Sequence, residues 1–512
     1  GLAATEATRP RETCFVSIEW HFTRCDVLPS QLQAISIKSS PSLVSQSSYC
    51  FCQLIFLHLF NSHTLNMAPR YESDDVSAAP LGEKLQFAFA NRSAPNRFLK
   101  GAMTERLSSW DPENLPARGV PSDQLINAYR RWGEGEIGLI LSGNIMFEYD
   151  HLEAAGNPII PVDASYEGER FENFKRMATE GKKNGMLMVG QVSHPGRQVE
   201  SRIQKNPISA SDVQLKGDVM GMTFEKPRPA SEQDIARIIE GFAHACEYLE
   251  KAGWDGAELH GAHGYLLAQF LSPTTNQRTD KYGGSLENRA RLIIEIANEV
   301  RKRTSPNFIL GIKLNSVEFQ DKGFNPEEAK ELCKMLEDNK FDFVELSGGT
   351  YEHLAFGHKR ESTKKREGFF MEFSDLIAPA LTKTKVYVTG GFKSVGAMAN
   401  SLKSIDGVGL ARPLCQEPRL CKDILAGKVK GAIKQRPDDN NFGITNVVAG
   451  TQIRQISKDQ EPIDMSDEKN EQDFMKDMGE WAQKMGQDSK MEKYGYIDLT
   501  TAAPLPYGGA SV

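Results

Sequence analysis

From residue 95 onward the chain alternates short apolar runs with amphipathic stretches, and it does so eight times. The apolar runs are Phe98 to Met103, Ile137 to Phe147, Met186 to Val192, Trp254 to Leu259, Phe308 to Leu314, Phe341 to Leu346, Lys385 to Thr389 and Gly407 to Leu410. Each has strand length, and the stretches between them carry helix signals. Ser122 and Ser231 stand at N-cap positions, and Asn325-Pro326-Glu327-Glu328 combines a cap, a first-turn proline and a capping-box glutamate. Further helices are expected over Tyr166 to Lys183, Leu286 to Arg303, Met371 to Leu381, Ser394 to Leu402 and Arg419 to Leu425. Eight strand–helix units over this length predict an α/β fold, a single (β/α)8 TIM barrel spanning 95–430, rather than an open sheet.

The remainder divides into extensions. Residues 1–66 begin with Gly1, are rich in Ser and Gln, and are expected to be a non-native or disordered leader, with Met67 as the natural start. Their apolar patch, Tyr49 to Phe60, is too short to span a bilayer. Residues 67–94 form a lead-in. Residues 431–512 read as a polar C-terminal extension, a surface or disordered tail with one helix around Glu471 to Met485, or less readily an oligomerisation arm. A net charge of -7 excludes a general nucleic-acid binder, whose footprint is basic, and leaves a small molecule as the expected partner. Of eight cysteines, Cys14, Cys25, Cys50 and Cys52 fall in the leader. Cys246, Cys333, Cys415 and Cys421 sit in helical or apolar patterns without CxxC pairing, as reduced thiols of a cytoplasmic protein would.

In a barrel, the carboxyl ends of the strands converge on one face. Those ends read Thr104, Ser142-Gly143-Asn144, Gln191, His260 with His263, Lys313, Ser347-Gly348-Gly349, Gly390-Gly391 and Ala411-Arg412. Polar, charged and glycine residues therefore gather where an active site would lie. Gly390-Gly391 and Ala411-Arg412 end strands seven and eight, where barrels bind phosphate through backbone N–H groups. Three readings remain open for His260 and His263: satisfied polar residues, metal ligands, or a pair of N–H donors holding one oxygen, with Tyr265 as a proton donor. No HExxH, paired CxxC or Asp-rich loop supplies a third ligand, so no metal is expected.

His260-x-x-His263-Gly264-Tyr265-Leu266-Leu267, with Phe270-Leu271-Ser272-Pro273, Asn276, Arg278, Asp280-Lys281-Tyr282-Gly283-Gly284-Ser285 and Glu287-Asn288-Arg289, resembles the signature of the old yellow enzyme family of FMN-dependent ene-reductases. The resemblance runs from about Asn96 to Pro418. It implies tightly bound, non-covalent FMN, reduced by NAD(P)H and reoxidised by an activated alkene. Residue by residue it implies that Ala102, Met103 and Thr104 lie at the flavin's N5 edge, Gly143 by the ring and Gln191 at the pyrimidine edge. Gly390, Gly391, Ala411 and Arg412 would hold the phosphate, His260 and His263 the substrate oxygen, and Tyr265 would protonate Cα. The chain departs from the pattern at Lys313, where many members carry Arg, at Ala411, where Gly is usual, and at Arg106, a substrate-pocket position where the His-His branch often places Tyr.

Overall fold

The computed structural model describes residues 68–215, 221–315, 326–347, 375 and 377–508. The expected leader, the Asn325 cap, Gly348-Gly349 and most of the helix expected over Met371 to Leu381 lie outside them; the described end of that last stretch is a 3-10 turn, Ala378–Ala380.

Eight parallel strands close into a barrel in strict sequence order. They are β1 (Phe98–Lys100), β2 (Leu139–Ile145), β3 (Leu187–Val192), β4 (Gly256–Gly261), β5 (Ile309–Asn315), β6 (Phe343–Ser347), β7 (Lys385–Thr389) and β8 (Gly407–Leu410). Around them run α1 (Asp123–Glu134), α2 (Gly168–Lys182), α3 (Glu232–Lys251), α4 (Leu266–Leu271), α5 (Leu286–Arg303), α6 (Pro326–Asp338), α7 (Val395–Ser401), α8 (Pro413–Gln416) and α9 (Leu420–Leu425). The caps expected at Ser122 and Ser231 form, accepting from backbone N–H groups, and Ser231 makes a capping box with Asp234; Ser285 and Ser394 cap their helices in the same way.

The period-2 alternation of strands decides what lines the barrel. At the amino ends it turns Leu99, Leu139, Val189, Ile309, Phe343 and Tyr387 into one apolar cluster, joined by Leu85 and Phe87 of a short antiparallel hairpin, Leu85–Phe87 with Arg92–Ala94. The backbone N–H of Ala90, in the hairpin turn, donates to Asp342 Oδ1 at 2.7 Å, just before β6. The hairpin thus plugs the amino-terminal mouth and leaves the carboxyl mouth for a ligand. One step further along the same faces the lining turns polar.

The C-terminal extension is not a solvated tail. It forms α10 (Phe442–Ser457) and α11 (Glu468–Gln487). Val448, Ile463, Met465, Phe474 and Ile497 bury one another in a small core of their own. Asn127 of α1 donates to the Ser457 carbonyl at 3.0 Å, and Arg419 pairs with Glu461 at 2.7 Å, so the extension is tied to the helical shell. Among the described residues no helix is long and apolar enough to cross a membrane.

Candidate active site

A cavity at the carboxyl mouth gathers residues from across the barrel: Ala102, Met103, Thr104, Arg106, Gln191, His260, His263, Tyr265, Lys313, Gly390, Ala411 and Arg412 all line it. Twelve of the fourteen site residues singled out from sequence therefore line one cavity, all but Gly143 and Gly391. Gly143 is the clear exception. A register shift in β2 between Leu141 and Asn144 turns the next residue inward, so Asn144 faces the cavity and Gly143 does not. Gly143 instead gives close approach to Glu105, whose Oε1 accepts from its N–H at 2.8 Å; a Cβ there would lie 2.2 Å from Glu105 Oε2. Gly391, next to the lining Gly390, is held in the left-handed region at φ 84°, and Gly390 at φ 138°, a turn that side chains rarely tolerate.

Strand register builds the floor. Gln191 is opposite Glu258, His260 opposite Lys313, and Lys313 opposite Glu345. Gln191 Nε2 donates to Glu258 Oε1 at 2.6 Å, which leaves its amide oxygen for the cavity. Lys313 Nζ donates to Glu345 Oε1 at 2.8 Å. Burial, reinforced by the adjacent Glu345 charge, pushes the Glu258 carboxyl well above the usual range, so it keeps its proton. Burial acts the same way on Glu345, but the Lys313 charge and the Glu258 hydrogen bond outweigh it and hold that carboxyl low.

The two histidines are neutral donors. Burial, the second histidine and Lys313 drive His260 well below its ordinary value, and burial with Lys313 brings His263 down to about 3. His260 Nδ1 accepts from the backbone N–H of Ala262 at 3.3 Å, which assigns its proton to Nε2. His263 is held in the left-handed region at φ 57°, its N–H donating to Asn315 Oδ1 at 3.0 Å and its carbonyl accepting from Gln198 Nε2 at 3.0 Å. That corner, continued by Gly264 at φ 74°, turns the chain so that the Tyr265 ring meets His260 edge-on, centroids 4.6 Å apart. His263 Nε2 lies 3.1 Å from Ser347 Oγ.

Sequence reasoning missed the roof. Phe442, Asn446, Ala449, Gly450 and Ile453 of α10, with Tyr496, line the same cavity. Gly450 lets the Tyr496 ring pack against the helix backbone, for a Cβ there would lie 2.3 Å from it, and the Arg106 guanidinium sits 4.8 Å from the centroid of that ring. Arg412 reaches from β8 to the same helix, Nη1 donating to Thr445 Oγ1 at 2.6 Å. Glu153 also lines the cavity and had no sequence signal, whereas Ser347, which lines it too, was among the strand ends read from sequence.

Away from the cavity, Glu148, His151 and His194 form the one group of three potential metal ligands among the described residues. One carboxylate oxygen already engages both rings: Glu148 Oε2 lies 2.7 Å from His151 Nδ1 and 3.2 Å from His194 Nε2, and Arg237 stands 3.3 Å from the other oxygen.

A closed parallel barrel with neutral imidazole donors, a buried cation and a glycine turn at its carboxyl mouth defines a cofactor-using barrel enzyme. The chain belongs to the NADH:flavin oxidoreductase / NADH oxidase family, whose model matches residues 87–430. The old yellow enzyme resemblance is thereby borne out, and the protein is an enzyme of the flavin oxidoreductase class. It is 53% identical over 393 residues to the NADH-dependent flavin oxidoreductase nadA of Aspergillus parasiticus, covering 76% of this chain and 88% of that one. The NADH-dependent flavin oxidoreductase iccE of Talaromyces variabilis is 33% identical over 351 residues, 65% of this chain and 83% of its own. Among solved structures, morphinone reductase superposes with a TM-score of 0.57 at 21% identity, over 72% of this chain and 94% of that one, and shares the fold.

Proposed function

We propose that the protein is an ene-reductase that carries hydride from NAD(P)H through tightly bound FMN to the β-carbon of an α,β-unsaturated carbonyl or nitro compound. The observation that carries this is the neutral pair His260 and His263, with the His260 proton assigned to Nε2, beside Tyr265. NADH is the expected donor, since nadA and iccE are both named as NADH-dependent.

The residues fit the cofactor. Asn144 Oδ1 is buried without a hydrogen-bond partner and lines the cavity, Gln191 presents an amide oxygen, and the Gly390-Gly391 turn, at positive φ and with no side chains of its own, begins at the cavity wall. FMN held there supplies the hydride relay at its N5. Thr104 would lie at that edge, with Ala102 and Met103; Gln191 and Asn144 would face the pyrimidine edge, whose N3–H is the one ring donor of oxidised flavin. Gly390, Gly391, Ala411 and Arg412 would take the phosphate, Arg412 already braced by Thr445. Lys313 places a cation where negative charge collects on reduction.

On the substrate side, His260 and His263 donate to the activating oxygen. They stabilise the charge that grows on it as hydride arrives at the β-carbon, as an oxyanion site does. Neutral rings suit this task, because they donate without transferring a proton to that oxygen. Tyr265 is the acid for Cα. Arg106 and Tyr496 would border the part of the substrate remote from the histidines.

A second reading, an NADH oxidase, is supported by the family description itself. Purified protein should be yellow. Anaerobic mixing with NADH should bleach it, and 2-cyclohexenone should restore the colour. A preparation reoxidised by oxygen but not by the enone selects the oxidase, and one that cannot be reconstituted with FMN rejects both readings.

A further inference from the structure

One extra residue in β2 decides which side chain this strand shows to the cavity. Leu141 pairs with Val189 and Asn144 with Gln191, so Ser142 and Gly143 together stand opposite Gly190. Such an insertion reverses the facing of every residue after it. Leu141 belongs to the apolar cluster inside the barrel, whereas Ile145, which an unbroken strand would place on the same side, packs in the core outside it. Asn144 is turned into the cavity, where its Oδ1 is buried without a hydrogen-bond partner.

An inserted residue takes backbone groups out of the ladder, and buried ones must find other partners. Side chains supply them. Lys100 Nζ donates to the Leu141 carbonyl at 2.9 Å. Ser142 Oγ donates to the Gly143 carbonyl at 2.8 Å and accepts from the Gln191 N–H at 2.9 Å. The Gly143 N–H is shared between Glu105 Oε1 at 2.8 Å and the Tyr129 hydroxyl at 3.0 Å, and that hydroxyl donates to the same Glu105 oxygen. Lys100, Glu105 and Tyr129 are all buried, and none of them lines the cavity. Burying an ammonium and a carboxyl beside one bulge is costly, and apolar residues of the same volume would pack that shell as well or better.

We propose that Glu105, braced by Lys100 and Tyr129, is a positioning residue for the cofactor: it holds the β2 bulge in place and thereby aims Asn144 into the cavity. This rests on the cavity being the FMN site. Glu105 works only through the strand. Without its grip on Gly143 the extra residue can slip along β2, and a shift of one position returns Asn144 to the shell and Gly143 to the cavity.

A double-mutant cycle separates aiming from mere support. The measurement is the FMN dissociation constant, by fluorescence as the holoenzyme releases and rebinds its flavin, for Glu105→Ala, Asn144→Ala and both together. Asn144→Ala should weaken FMN by about tenfold, the order of one hydrogen bond. Glu105→Ala should weaken it to a similar extent in the otherwise unaltered chain, yet add no more than about twofold once Asn144 is replaced. A support role would cost the same in both backgrounds, because a loosened strand is felt whatever side chain stands at that position. Equal losses from Glu105→Ala in the two backgrounds, no loss in the first, or an Asn144→Ala variant that binds FMN like the wild type overturns the proposal. If Glu105→Ala fails to fold, Glu105→Asp, which withdraws the acceptor by one methylene, is carried through the same cycle and decides by the same outcomes. A wild type that binds no FMN would instead defeat the reading of the cavity.

Discussion

Lys313 and Glu345 face each other across β5 and β6, Nζ to Oε1 2.8 Å, with side chains 4% and 0% exposed. The pair is in register, so the sheet itself sets the distance. Its Coulomb gain is spent against desolvation of both ions, and removing one partner strands the other. Lys313→Met should therefore cost about 3–5 kcal/mol in urea unfolding. Lys313→Met combined with Glu345→Leu should recover most of that stability, yet bind FMN with a lower reduction potential than the wild type. A double variant no more stable than Lys313→Met would show that the ion pair is not what holds this floor.

The histidine pair predicts an acid limb in stability. Both folded values lie below the unfolded value of about 6.5, so the unfolded chain binds the extra proton and stability falls as pH drops below that point. For His263, held near 3, the loss at pH 5 is about 2 kcal/mol relative to pH 7. His151 works in reverse. Burial lowers it, but the Asp150 and Glu148 carboxylates prevail and lift it to about 9. Its contribution is complete below about 6.5 and is lost as pH rises through 9. Chemical denaturation across pH should show His151→Leu flattening the alkaline limb, and His263→Asn the acid one.

Phenol binding reports the oxygen site directly. His260→Ala with His263→Ala should weaken phenol by tenfold or more, about 1.4 kcal/mol per decade, while FMN affinity changes little. Spectral titration of the holoenzyme measures both constants, and equal losses would assign the histidines a structural role. Because neither ring titrates near neutrality, wild-type phenol binding should show no histidine inflection between pH 5 and 8.

The roof is open to a single-atom test. Gly450→Ala places a carbon 2.3 Å from the Tyr496 ring, which must move and take Arg106 with it. Such overpacking costs about 1–3 kcal/mol. Thermal melts should show the loss, and KM for a bulky enone should change more than that for a small one. A uniform change across substrates would mean that the ring does not border the substrate.

Thiol chemistry should be quiet in the barrel. Cys246, Cys333, Cys415 and Cys421 are all buried and unpaired, and burial pushes the first three up to about 12. Iodoacetamide followed by peptide mapping should find these four unmodified in native protein and alkylated after denaturation.

The barrel was legible because its strands are continuous apolar runs and its helices open on serine caps, both local signals. The carboxyl-end residues followed from strand order alone, which is why His260, Lys313 and Arg412 could be placed together without a structure. Gly143 failed because a bulge moves the facing by one residue, and nothing in Leu-Ser-Gly-Asn marks where the extra residue falls. Helix α10 failed for a different reason. Phe442–Ser457 is rich in β-branched residues, glycine and threonine, poor helix formers, and is buried on several sides, so no stripe betrays it. Tyr496 lies in a Gly-flanked stretch whose partner, Gly450, is known only once the chain has folded back.

The Arg454–Asp498 clamp, two bonds of 2.7 Å, pins the strip carrying Tyr496 to α10, and all of it lies beyond residue 430. Floor and ceiling of the cavity are thus encoded in separate stretches of the gene. A lineage could exchange the ceiling by recombination downstream of the barrel, acquiring new selectivity while inheriting the strand-borne chemistry unaltered.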